Sequence, residues 1–148
     1  MLGRFLRVWL GRPPTLSDVA PGFSAEAASH SVVLRLAPSA MENPDVDVRW
    51  AIEQHLHTAH PDLSFFDDGY GFARSSDAML LSYGTSAPER LVDALVAMLE
   101  QETIGGNRLA TAAIVAVAER TPISESGGEL QHHRIVYPPG QAGQPVPD

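Results

Sequence analysis

The sequence predicts an α+β domain in which a strand, a helix, two strands, a helix and a strand follow one another, with an extra strand at the C-terminal end. Three observations carry this prediction. Short branched or alternating apolar stretches stand at residues 30–37 (HSVVLRLA), 78–83 (AMLLSY) and 108–120 (RLATAAIVAVAER). Two segments between them repeat apolar residues at helical spacing: Val48, Ile52, His55, Leu56 and Ala59, then Leu91, Leu95, Met98 and Leu99. The length of 148 residues and a hydrophobic content of 44% suit one core with modest extensions.

Taken in order, residues 1–12 (MLGRFLRVWLGR) form an amphipathic basic helix, with Leu2, Phe5, Leu6, Trp9 and Leu10 on one face and Arg4 and Arg7 opposite. The run is too short to span a bilayer, and its arginines interrupt the apolar segment a signal peptide needs. It docks on the domain's own core or anchors to a partner or membrane surface, docking being the commoner outcome. Residues 13–29 read as a linker broken by prolines. The domain proper spans 30–137 and opens with the strand at 30–37. A turn follows, and Asn43 and Pro44 are suited to cap and start a helix that runs to about His60, where Pro61 closes it.

Residues 63–66 and 70–74 are two extended candidates, and residues 75–77 (SSD) make a hairpin connection to the strand at 78–83. Ser86 and Glu89 have capping-box spacing ahead of the second helix, which Gly105-Gly106 stops. The long strand at 108–120 sets Leu109, Thr111, Ala113, Val115 and Val117 on one face. Alanines and Ile114 fill the other, so both faces should be covered. Residues 132–137 (HHRIVY) form the last strand, and the proline- and glycine-rich residues 138–148 form a disordered tail.

Composition removes several function classes. Cysteine is absent, which excludes disulfides, thiolate metal sites and thiol nucleophiles. All ten basic residues are arginine, so no lysine serves a Walker-type phosphate site, a Schiff base or a general base. A formal charge of −8 argues against nucleic acid and for a soluble protein or a basic partner. The first dozen residues carry Arg4, Arg7 and Arg12 and no acid, so the body is more acidic than the total.

No motif names a chemistry. His55, His57 and His60 crowd one helix end, but only His57 and His60 share a flank, and they read as solvated histidines near a helix C-terminus. The aspartates Asp62, Asp67, Asp68 and Asp77 lack the alternation of a calcium loop, and Asp68-Gly69 is a turn signal. Gly69 and Gly71 are followed by a strand instead of a helix, which argues for a bulge or close backbone approach over phosphate binding. A G-x-S-x-G elbow is missing. The sequence therefore predicts no catalytic residue, no metal site and no cofactor. It does set Val46, Trp50 and His57 on an outward stripe of the first helix. A tryptophan there should be covered, either by the N-terminal helix or by a partner protein. Asp67, Asp68 and Tyr70 join this stripe as a candidate acidic, aromatic contact surface.

The run DGYGF…LLSYG…PERLVDAL, within residues 31–119, resembles small bacterial ferredoxin-like domains of split βαβ plan, among them toxin-immunity proteins. The resemblance implies a ferredoxin-like sandwich. With the acidic body, it gives the leading expectation of a cytoplasmic, non-catalytic protein-binding domain, in its most specific form an acidic immunity-type inhibitor of a basic toxin. A self-associating structural or regulatory domain is the alternative, a homodimer in which strand 109–118 lies against its copy. A small-ligand domain or enzyme is a third, with His55, Asp67, Asp68, Tyr70, Arg74 and Tyr83 converging on a cleft.

Overall fold

The structure, a computed structural model, describes residues 28–120 and 130–147; the expected N-terminal helix and nearly all of the expected linker lie outside them. The described part is an α+β fold. Five strands, β1 (His30–Leu36), β2 (Phe65–Phe72), β3 (Met79–Thr85), β4 (Ala113–Glu119) and β5 (Arg134–Tyr137), form one sheet in the order β2-β3-β1-β4-β5. Every neighbouring pair is antiparallel. Two helices, α1 (Val48–Ala59) and α2 (Pro88–Gln101), occur among the described residues, and none is long and apolar enough to cross a membrane.

The helices pack on one face of the sheet because their apolar stripes meet the alternate residues of the strands. Ile52 and Leu56 of α1 and Leu91, Leu95, Met98 and Leu99 of α2 join Val32, Leu34, Leu36, Leu81 and Val115 in the larger core. On the opposite face a second cluster gathers Val33, Leu80, Ala116, Leu130, Ile135 and Val146. Both faces of β4 are therefore buried, as its alanine-rich pattern implies.

Several expected boundaries shift for identifiable reasons. Asn43 does not cap α1, which begins at Val48 after Asp47. Asn43 instead exchanges bonds with Asn107: its N–H donates to Asn107 Oδ1 at 2.7 Å, and Asn107 Nδ2 donates to the Asn43 carbonyl at 3.0 Å. Ser86 and Glu89 make no capping box; Thr85 Oγ1 accepts the Ala87 N–H at 3.0 Å just ahead of α2, and Pro88 opens the helix. The two extended candidates at 63–66 and 70–74 are one strand, β2, with an irregularity at its middle.

The strand expected over 108–120 starts only at Ala113, because the Ala112 N–H turns back to the Leu109 carbonyl at 3.0 Å. Gly105 (φ 56°) and Gly106 (φ 80°) form a tight turn closed by reciprocal Ile104–Asn107 bonds. The tail also differs. Residues 139–141 form a short 3-10 turn, Pro145 bridges to Arg134, and Val146 is buried in the second core. An apolar residue with a vacant sheet face to cover orders a segment whose composition alone predicts disorder.

Candidate functional site

The most unusual side chains meet where α1 lies against the edge strand β2. Arg49 follows Val48 at the start of α1 and is carried inward with the apolar stripe, leaving it 3% exposed. Its guanidinium lies between two rings, 4.1 Å from the centre of Trp50 and 4.2 Å from that of Tyr70. Arg49 Nη2 pairs with Asp67 Oδ2 at 3.6 Å, while its Nε and Nη1 make no hydrogen bond. Cation–π contact from two sides compensates part of the desolvation that burying this charge costs.

Asp67 faces the helices by alternation with Phe65, and the bulge that follows it in β2 brings Tyr70 to the same face. Asp67 pairs with Tyr83 and Tyr70 with Leu81, so Asp68 and Gly69 together oppose Ser82. Gly69 takes φ 97°, and its N–H donates to Asp67 Oδ1 at 2.7 Å, which fixes the carboxylate while its other oxygen faces Arg49. The aspartate–glycine pair is thus a kink inside a strand, not the mouth of a hairpin. The hairpin itself closes at residues 74–77, as the serine pair implies, with Ala73 N–H donating to the Ala78 carbonyl at 2.9 Å.

Aromatic contacts extend the corner. His57 stacks on Phe65 at 4.6 Å, Phe65 meets Tyr83 edge-on at 5.9 Å, and Tyr70 meets Phe72 edge-on at 6.2 Å. Tyr83 is buried and its hydroxyl makes no hydrogen bond; burial pushes its pKa well above the ordinary range. Glu53 and Asp67 add to that rise, and Arg49 opposes it. The phenol is therefore a neutral wall of the corner, poorly suited to give up its proton. Trp50 and Phe72, 43% and 39% exposed, and His57 face solvent.

Of the residues expected to form a contact surface, Trp50, His57, Asp67 and Tyr70 come together here. Val46 does not: it packs half-buried against the main core instead of continuing an outward stripe, because α1 starts two residues later. Asp68 is set opposite Ser82, whose place in the register is on the other side of the sheet from Tyr83. Asp67, Tyr70 and Tyr83 of the alternative cleft converge; Arg74 sits exposed in the hairpin and His55 half-buried on α1. Arg49, the centre of the arrangement, was not legible as such. Its only signal is the spacing Arg49, Glu53, His57 along one flank of the apolar stripe, beside a strand alternating Phe65 and Asp67.

Chemically the corner is a cationic group sealed by aromatics and one carboxylate. No group of three histidine, aspartate or glutamate side chains is placed to hold a metal among the described residues. The structure thus defines an α+β domain with an aromatic-capped arginine at one sheet edge. No protein-family model, curated protein or solved structure gives a significant match to the chain.

Proposed function

We propose that this chain is a non-catalytic protein-binding domain of ferredoxin-like, split βαβ plan, and that its contact surface is the α1–β2 corner. The strand order supports the plan: β3 lies between β1 and β2, β4 flanks β1 on its other side, and β5 is an added edge. One observation carries the function. Trp50 holds a large ring half in solvent while its inner face rests on the buried Arg49 guanidinium. Interfaces concentrate their binding energy in such rigid Trp, Tyr and Arg anchors. Phe72 widens the patch along the strand.

The partner's chemistry follows from charge. The net charge of −8 steers a basic protein towards the domain, and an immunity-type inhibitor of a basic toxin in the cytoplasm fits this reading. The test is affinity recovery from the native host with the full chain and its Trp50→Ala variant. A basic protein retained by the former and lost from the latter is expected; the full chain recovered alone would refute the reading.

Self-association is a second reading, favoured by the outer edge of β2, which pairs with no other strand among the described residues. Pairing through strand 109–118 does not fit, because β4 has β1 on one side and β5 on the other. A concentration-independent monomer in light scattering would remove it.

A further inference from the structure

Two helices serve five strands, and the shortfall lies over β5. The helix-side core draws on α1, α2 and β1 to β4, but takes from β5 only the half-buried Tyr137. Beside α2 this leaves a groove of about 290 Å³ floored by Val117 and Val136 and walled by Pro88 and Val92, with His30 at one end. Val136 is 40% exposed, one of three large apolar side chains so exposed among the described residues.

Three acids and one base surround the groove, the base being Arg134, which pairs with Val117 across β4 and β5. Glu89 and Asp93 of α2 line the groove, and Glu119, which pairs with His30 across β1 and β4, continues the face that carries Val117. An apolar groove with acids along its α2 side fits an amphipathic helix that carries basic residues.

The chain contains such a sequence. Residues 1–12 place Leu2, Phe5, Leu6, Trp9 and Leu10 on one helical face, carry Arg4, Arg7 and Arg12, and include no acid. The described chain begins at Ala28, two residues before His30, which itself lines the groove. Residues 13–27 can extend roughly 50 Å, more than enough to return the segment to this point. We infer that the groove beside α2 is the seat of residues 1–12, which complete the helical layer in cis. The inference is independent of the Trp50 surface, because β5 and β2 are opposite edges of the sheet.

The two tryptophans of the chain make the test direct. In the full chain carrying Trp50→Phe, Trp9 is the sole indole. Its emission is expected to be blue-shifted and shielded from acrylamide at every protein concentration. Adding Val136→Arg, or Asp93→Arg on the exposed face of α2, should shift that emission to the red and restore quenching, with the far-ultraviolet circular dichroism unchanged. Adding Phe72→Arg at the other sheet edge should do neither. A Trp9 that already emits as in water overturns the inference. So does shielding that survives both groove variants, responds to Phe72→Arg, or disappears on dilution.

Discussion

Arg49 decides the character of the corner more than any other residue. A buried cation with one carboxylate partner at 3.6 Å is held mainly by the two rings around it. Removing the whole side chain strips both rings of their contact and leaves Asp67 without its counter-charge. Arg49→Ala is therefore expected to cost about 3 kcal/mol in urea unfolding. Arg49→Met keeps the packed stem, and Asp67 retains the Gly69 N–H bond, so its cost should be clearly smaller; equal costs would show that charge, not packing, dominates. Tyr83 supplies a pH dependence. Its folded pKa is raised, first by burial and then by Glu53 and Asp67, so the folded state holds this proton after the unfolded chain has begun to lose it. That contribution is fully present below about pH 10, the unfolded tyrosine value, and is lost as pH rises through the raised folded value. Tyr83→Phe should move the alkaline unfolding midpoint upward. At neutral pH it should change stability little, since the hydroxyl it removes makes no hydrogen bond.

At the scale of elements, the sequence is most readable where period and burial agree. Strand β1 and the apolar stripe of α2 stand where alternation and helical spacing set them: β1 sends Val32, Leu34 and Leu36 to the helix-side core and Val33 to the other, and α2 buries one face. Reading fails where a side chain has two possible partners. Asn43 has the chemistry of a cap but is taken by Asn107, sixty-four residues away. Thr85 instead of Ser86 bonds the backbone ahead of α2. Asp68-Gly69 has turn chemistry, yet the surrounding ladder turns it into a bulge, and the bulge sets Tyr70 on the same face as Asp67, around Arg49. Arg49 itself was invisible, since nothing local separates a buried arginine from a solvated one on the same flank. The other face of the sheet yields an element-scale prediction at Gly84. A Cβ there would run into the Phe66 ring and come within 2.7 Å of Arg120 Nη1. Gly84→Ala should destabilise by about 1–3 kcal/mol through forced repacking of that ring, read as a lower urea midpoint with unchanged m-value.

The described residues form a sheet with helices on one face and residues 138–147 against the other. Residues 138–147 contribute more than their composition implies: Ile135 N–H donates to the Gln144 carbonyl at 2.9 Å, Arg35 Nε donates to the Pro147 carbonyl at 3.1 Å, and Val146 is buried. Truncation after Tyr137 is expected to lower the melting temperature, with the lost Val146 burial alone about 1.5–3 kcal/mol; an unchanged melting temperature would return that segment to the status of a free tail. Under the proposed function, the acidic body and the half-exposed Trp50 at one edge form the surface that meets a basic partner. The most direct measurement compares the full chain with Trp50→Ala for recovery of that partner from the native host, alongside the melting temperature of each. The account predicts that Trp50→Ala loses the partner while remaining folded, with a melting temperature lowered by a few degrees because the ring it removes also covers Arg49. Equal recovery by both proteins would contradict it.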